Sequence, residues 1–448
     1  MRRILWFRRD LRVKDNPLLA LGGEVLPIFI FDTNILDSLP KDDRRVSFIF
    51  GHVEILKAEL LACGLELKVF YGKPEDVFDS LACGKFDEVV ACGDYDAYAK
   101  ERDLQISHKL HFRYIQDTYI FKHDEVLKDD GSPYLVFTPF YKKARIALES
   151  KNIEELLMAK HTLADEDYEG ITKVQKEKVT KLPFEMASLD FEQVNLQMPS
   201  PHAKLEALKE KLRNYKEQRD YLSSDVTSHL SVDLSFGTIG VREILRFLFA
   251  NKNLEIEPFI RQLIFRDFYA YELFHMPRIE NQNYKYSFGG IEDEEKYKAL
   301  CEAKTGFPIV DAGVRELLKT GNMHNRVRMV VASFFTKDLL LPWQWGERFF
   351  AQHLLDYDKA SNVLSWQWSA GTGVDPQPYF RVFNPYLQSK KFDKEALYIK
   401  QYVPELGHVE AKYLHDETWL FCANIKGYPK PMLHHKEAAK KAIEVFRV

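Results

Sequence analysis

Thirteen residues from Asp356 to Trp368 hold two carboxylates, an amide and two indoles: Asp356-Tyr357-Asp358, Asn362 and Trp366-Gln367-Trp368. Just upstream stand Met323-His324-Asn325-Arg326-Val327-Arg328 and Trp343. The chain has six tryptophans, and four of them fall between 343 and 368, so they are clustered and not scattered. Indoles ionise to radical cations at accessible potentials and can pack near contact. Beside carboxylates in apolar surroundings they fit a redox-active aromatic cofactor with a path for electrons, rather than hydrolysis or group transfer. Core packing is the competing reading for the indoles. For two acids one residue apart it is a solvated helix face, which Leu354-Leu355 before them and the tryptophan pair after them weaken.

Positioning such a set needs a scaffold, and the sequence divides into three parts. From residue 1 to 127 short apolar runs of strand length (Ile4–Phe7, Val25–Phe31, Leu65–Phe70, Glu88–Cys92) alternate with helical patterns (Val46–Leu61, Pro74–Leu81, Ala97–Leu110). That alternation predicts an α/β domain with a parallel, doubly wound sheet. No Gly-x-Gly-x-x-Gly follows the first strand, which excludes the dinucleotide-binding fingerprint; a cofactor can still sit at the strand ends. Residues 128–203 read as a connector, opening at Asp129-Asp130-Gly131-Ser132-Pro133, polar from Asp165 to Lys181 and closing at Pro199-Ser200-Pro201. From 204 to 448 the pattern is helical almost throughout, a large all-α domain that carries the tryptophan cluster.

The chain of 448 residues is long enough for two or three cores. A net charge of −4 predicts that any nucleic-acid contact is a local basic patch. Five cysteines (Cys63, Cys83, Cys92, Cys301, Cys422) match neither a zinc site nor a disulfide framework, and Cys83 and Cys92 are expected to pack as small apolar groups. A reducing, cytoplasmic location is the simple expectation. The charged start Met1-Arg2-Arg3 does not suit a signal peptide, and no apolar stretch approaches the ~20 residues of a membrane helix.

Several blocks in order resemble the DNA photolyase and cryptochrome family over nearly the whole chain. They are Trp6-Phe7-Arg8-Arg9-Asp10-Leu11-Arg12 with Asp15-Asn16-Pro17, Thr305-Gly306-Phe307-Pro308-Ile309-Val310-Asp311-Ala312, the Met323–Arg328 hexad, and Pro378-Tyr379-Phe380-Arg381-Val382-Phe383-Asn384-Pro385. Within the family the chain resembles class I photolyases, which split cyclobutane pyrimidine dimers in UV-damaged DNA. The resemblance implies FAD, active as its reduced anion, and a carbon–carbon lyase working as a monomer with no metal. It places Tyr215, Thr227, Ser228, Leu230, Ser231, Arg266, Asn325, Asp356, Asp358 and Asn362 at the flavin. The Thr227–Ser231 segment is implied to hold the diphosphate, Arg266 to pair with Asp356, Asp356 to accept from flavin N3–H, and Asp358 to hold the ribityl–adenine side. Asn362 is implied to face flavin N5, where sensing relatives carry Asp or Cys, and so favours repair.

By the same resemblance Trp366 and Trp343 begin a tryptophan chain that reduces the flavin in light. Leu300 stands where its third member belongs, leaving Trp345, a tyrosine such as Tyr297, or nothing as the exit. Trp368 matches an aromatic wall of the lesion pocket, Asn325 and Arg326 its polar contacts, and Met329 its lining. Arg328, Arg381 and Lys391 match phosphate or rim contacts. Gln262 replaces a glutamate that bonds the dimer, Phe265 and Phe259 replace tryptophans, and Asn322 replaces the tryptophan before Met323. Gln262 also occurs in (6-4) photolyases, but those carry a catalytic histidine where Asn325 stands; His324 is one residue off and is expected to point elsewhere on a helix. A (6-4) enzyme and a cryptochrome-type blue-light receptor are the alternatives. Tyr95-Asp96 with Glu101-Arg102-Asp103 resembles the antenna-site helix, with deazaflavin, FMN, folate or no antenna left open.

Overall fold

The computed structural model describes residues 1–82, 86–164, 180–181 and 185–447. Cys83 and nearly all of the polar 165–181 run lie outside the described residues. Two compact units emerge. The first comprises Met1–Gly131, Tyr141–Lys209 and Ser228–Asp267; the second comprises Ser132–Phe140, Glu210–Thr227 and Phe268–Val448. The changes in pattern near 127 and 203 mark where strands give way to connector and connector to helices, whereas the compact units exchange segments across those points.

In the first unit β1 (Arg2–Phe7), β2 (Gly23–Asp32), β3 (Lys68–Gly72), β4 (Glu88–Cys92) and β5 (Phe112–Ile115) are parallel, in the order β5-β4-β1-β2-β3. Two short strands flank them: β6 (His161–Leu163) pairs with β2, and β7 (Thr180–Lys181) lies antiparallel to β3. Helices Arg44–Ala62, Pro74–Ala82 and Ala97–Ser107 make the crossovers. Period-two alternation sends Leu5, Phe7, Phe29 and Phe31 to one core with Val46, Phe50 and Val53. Ile4, Trp6, Ile28 and Ile30 go to the other with Phe78 and Ile106. Leu65 and Leu67, expected within a strand, are buried in the loop that leads to β3. They are apolar because they are buried, not because they pair.

Strand order reverses between β1 and β4, the place where open α/β sheets form a ligand crevice. Here Arg8 bridges it: Nη1 holds both oxygens of Asp103 at 2.7 and 2.8 Å, and Nη2 reaches the Cys92 carbonyl. Other residues of the N-terminal fingerprint tie the turn after β1 to the helical segment Ser228–Asp267. Arg12 donates to Asp117 at 2.6 Å and to the Gly237 carbonyl at 3.0 Å, and Asp15 receives Arg246 at 2.9 Å. Gly237 has φ +66°, and a Cβ there would lie 2.0 Å from the Arg9 carbonyl oxygen, so only glycine fits.

Asp267 closes this unit. Its Oδ2 accepts from the Phe121 N–H at 2.9 Å, its Oδ1 is buried without a partner, and burial pushes the carboxyl up to about 7. Unfolded, the group releases its proton near the ordinary value of about 4. Between those values the folded state binds more protons, so stability falls as pH rises through the window. We expect a loss on the order of 3 kcal/mol between pH 4 and 7 from this group, at about 1.4 kcal/mol per pKa unit. Asp267→Asn, which mimics the protonated acid, should flatten that part of the profile in urea melts. An unchanged slope would rule Asp267 out as its source.

The second unit is helical, and three consecutive helices carry the clustered residues: Asn325–Ser333, Trp343–His353 and Lys359–Ala370. A π-turn at Phe334–Asp338 follows the first of them. It turns Lys337 and Asp338 inward, where Lys337 Nζ donates to the Ala370 carbonyl at 2.7 Å and Asp338 bonds His435 at 2.5 Å. Such one-turn bulges have no periodicity of their own and escape a pattern reading.

Candidate functional site

The two acids are not on a helix face. Asp358 is the N-cap of the Lys359–Ala370 helix, its Oδ1 accepting from Ser361 N–H at 2.9 Å. Asp356 sits two residues earlier in the turn, and both of its oxygens accept from Arg328 Nη2, at 3.0 and 2.9 Å. Arg328 is further fixed by Nε to the Met323 carbonyl at 2.7 Å. Arg328 is thus a partner of Asp356 within the second unit, where the resemblance implied Arg266. Arg266 gives Nη1 to the Thr118 carbonyl at 2.6 Å and Nη2 to the Leu234 carbonyl at 3.0 Å, and stacks over Tyr119. Arg328, expected at a DNA rim, is the residue that holds Asp356.

Asn362 lies on the first turn of its helix and is buried. Its Nδ2 donates to the Glu347 carbonyl at 3.1 Å and to Glu347 Oε1 at 3.0 Å. Tyr357 O–H adds to the same carboxylate at 3.2 Å. A carboxylate only accepts, so the amide must present its NH2 to Glu347. That leaves Oδ1, an acceptor, as the atom available to a ligand N–H. One turn later the buried Trp366 ring rests on Gly346, where an added Cβ would stand 2.2 Å from Cη2. Trp343, at the start of the same helix as Gly346, is buried and donates Nε1–H to Asn283 at 2.7 Å.

His324 does not lie on a helix, as expected from its place in the hexad; it is the N-cap of Asn325–Ser333. Its Nδ1 accepts from Arg326 N–H at 3.1 Å. An accepting Nδ1 requires the neutral ring, and burial, assisted by Arg326 and Arg328, pushes its pKa down to about 4. Asn325 is exposed at the helix start, with Nδ2 at 3.8 Å from Met329 Sδ, and Met329 is half-buried. Arg326 pairs with Asp220 at 2.9 Å and stacks over Phe392. Tyr215 is buried, opens a one-turn helix and has Arg219 over its ring. Thr227 gives its carbonyl to Lys211 at 3.0 Å. Trp368 is half-buried, and Arg381 and Lys391 are exposed.

In the first unit Ser228 Oγ accepts from Leu230 N–H at 3.3 Å around His229, whose φ is +55°. Helix Ser231–Phe236 then begins without a side-chain cap, leaving its first N–H groups to other acceptors. Gln262 and Phe265 are half-buried on the Glu257–His275 helix, and Phe259 is buried.

Two family models divide the chain between them: DNA photolyase over residues 3–179, and the FAD binding domain of DNA photolyase over 259–448. A deoxyribodipyrimidine photo-lyase of Alkalihalophilus pseudofirmus is 34% identical over 99% of this chain and 97% of that protein. The chain belongs to the DNA photolyase family. The Escherichia coli deoxyribodipyrimidine photo-lyase is 30% identical over 99% of this chain and 98% of that protein. Among solved structures, a bacterial class III photolyase from Agrobacterium tumefaciens superposes with a TM-score of 0.84 at 30% identity, covering 99% of this chain and 97% of that one. An archaeal photolyase from Sulfolobus tokodaii with two FAD molecules gives 0.84 at 30%, covering 100% and 99%. These relatives place the chain in the family and not in one class of it.

The residues present fit the flavin that the family's FAD-binding domain implies. Within the second unit Asn362 offers one acceptor in a fixed orientation, and Asp356 is a carboxylate matched to an imide N–H. Two contributors had no local signal. Glu347 lies fifteen residues before the amide it orients, and Arg328 lies twenty-eight before the acid it holds. In the antenna segment Asp96 is the N-cap of Ala97–Ser107, bonding Ala99 N–H at 2.8 Å, and Tyr95 stacks on Tyr119. Among the described residues no helix is long and apolar enough to cross a membrane.

Proposed function

We propose that this photolyase reverses cyclobutane pyrimidine dimers in UV-damaged DNA. FAD, when bound and reduced, supplies a light-excited donor of one electron. The lesion must leave the duplex to be reached, and the chain's own residues have to receive it. Trp368 offers an aromatic face, Asn325 offers a hydrogen bond to a C4 carbonyl, and Met329 offers an apolar lining. Arg381 and Lys391, both exposed, suit phosphates. Phe380, 61% exposed beside Arg381, adds an apolar edge of the kind that slips between base steps. Asn362 Oδ1 would accept an N–H of the bound flavin without bringing a charge.

The observation that carries the choice of lesion is His324. (6-4) chemistry in the family uses a histidine acid, at the place where Asn325 stands here. The neighbouring His324 is committed as a neutral cap and has no proton to lend near neutral pH. Blue light on the reduced protein with oligonucleotides bearing each lesion tests this reading through restored thymine absorbance. Repair of only the (6-4) product would overturn it. For the second chromophore, the archaeal photolyase from Sulfolobus tokodaii, which holds two FAD molecules, makes a second flavin one candidate.

Gln262 and Phe265 set the efficiency in this reading. Glutamine donates a neutral hydrogen bond and lends no proton, and charge-assisted bonds are stronger. Phenylalanine offers a smaller face for stacking, worth about 1–3 kcal/mol per base. Gln262→Glu with Phe265→Trp should therefore tighten lesion binding about tenfold, equivalent to ~1.4 kcal/mol, and raise the repair yield. Loss of dimer repair in the double variant would show that these residues serve a different pocket.

A further inference from the structure

Two neighbouring residues of the π-turn at Phe334–Asp338 hold opposite ends of one helix, His435–Val445. At its start His435 Nδ1 bonds Asp338 Oδ1 at 2.5 Å, and the His435 N–H donates to Glu417 Oε1 at 2.7 Å. Just past its end Phe446 is buried, with Lys337 Nζ 3.8 Å from the centre of its ring. A cation is drawn to the face of a desolvated ring. Lys337 is fully buried, has no carboxylate partner among the described residues, and donates to the Ala370 carbonyl at 2.7 Å. Ala370 ends the helix that carries Asn362, Trp366 and Trp368. One buried ammonium therefore ties the end of that helix to Phe446.

The chain that follows leans on the same place. From Gly371 to Asn384 it forms neither helix nor strand. Around Phe380 its backbone is anchored at Gln377, whose N–H reaches the Trp368 carbonyl at 3.3 Å, and at Phe383, whose N–H reaches Ser333 Oγ at 3.2 Å. Between these points the Arg381 N–H closes a turn on the Pro378 carbonyl at 2.9 Å, which ties the edge only to itself. Side chains fasten it to the unit: Tyr379 and Val382 pack against the buried cluster of Leu340, Ala442 and Phe446. Tyr379 meets Phe380 edge-on at 5.5 Å, and Phe380 stands out beside the exposed Arg381.

We propose that helix His435–Val445 and Phe446 form a brace that holds the Tyr379–Val382 edge in the shape that opens a lesion-bearing duplex. Phe446 is then a positioning residue for base flipping. This rests on the DNA reading given above. An apolar wedge that enters a base step has to overcome stacking. A wedge that must also be ordered on binding loses affinity to the freedom it gives up, and fixing it beforehand removes that loss. At a lesion already outside a helix no step is wedged apart, so there the brace contributes little.

The flavin-loaded full chain tests this with a cyclobutane dimer in a duplex and the same dimer in a short single strand. Phe446→Ala should weaken duplex binding about tenfold and single-strand binding less than about twofold, with parent flavin content. Phe446→Leu, which refills the apolar cluster, should recover most of the duplex affinity. Equal losses on both substrates, loss of flavin, or parent duplex affinity in Phe446→Ala overturns the proposal. Val382→Ala removes the same contact from the other side, so it should add little to Phe446→Ala; full additivity counts against the brace. A readout without DNA separates the brace from the DNA reading. Trypsin, with products identified by mass, should cut after Arg381 about tenfold faster in Phe446→Ala, because the edge opens locally more often. Unchanged cutting overturns the brace, whereas a parent that binds no dimer overturns the DNA reading on which it rests.

Discussion

Arg328→Ala should give a protein that loses its flavin on gel filtration and unfolds at lower urea. The Asp356 side chain is only 7% exposed, and Arg328 is the cation that bonds both of its oxygens. Removing one partner of such a pair leaves a carboxylate in a poor solvent, which costs about 3–5 kcal/mol when both groups are fully buried. Arg328 is 26% exposed, so solvent screens part of this, and a loss of roughly 2–3 kcal/mol is expected here. Without Arg328, Asp356 is also held less firmly in the position in which it meets an imide N–H. FAD affinity should therefore drop by about tenfold or more, since ~1.4 kcal/mol is one decade. Arg328→Lys keeps the charge and lacks the planar fork, so it should recover part of the stability and less of the affinity. Parent flavin content in Arg328→Ala would remove Asp356 from the flavin site. Arg266→Ala provides the contrast: its bonds go to two main-chain carbonyls in the first unit, so it should lower the stability of that unit.

These pairings explain how far the chain could be read without coordinates. Strands β1, β2 and β4 and their crossover helices follow from apolar runs and periodicity, because both faces of that sheet are covered and each run must be continuous. β5 is half-exposed, and β6 and β7 have three and two residues, too few to carry a pattern. At the site, residue type announced that carboxylates, an amide and indoles were gathered, yet type says nothing of partners. Arg266 and Arg328 are equally good donors on paper, and no spacing announces that Arg328, twenty-eight residues before Asp356, meets it within the second unit. His324 shows the same limit in reverse, since a cap needs the residue before the helix, and a hexad read as uniformly helical hides that position. The N-terminal fingerprint, one of the blocks that resemble the family, fastens the turn after β1 to the segment Ser228–Asp267.

Trp366→Phe should lower the rate of flavin photoreduction by about 100-fold or more, a change of ~2.7 kcal/mol or greater in barrier. Trp366 is buried with no polar partner, and Phe335 and Phe350 are its ring neighbours, at 5.3 and 4.9 Å. Among the described residues no oxidisable ring pairs with it, so phenylalanine at 366 would leave a gap in the path that neither neighbour can bridge as a donor. The truncated ring also leaves a small cavity against Gly346, and a stability loss of about 1–3 kcal/mol accompanies the change. Gly346→Ala separates geometry from chemistry. Its new Cβ would meet the Trp366 ring at 2.2 Å, forcing the indole to move while leaving it oxidisable. Photoreduction should slow in this variant too, with the indole still present. Protein reduced with dithionite bypasses the path, so dimer repair by Trp366→Phe should remain measurable after chemical reduction. If Trp366→Phe photoreduces at the parent rate, electrons reach the flavin by a route that does not include the tryptophan cluster, and the clustering of indoles between 343 and 368 is then core packing alone.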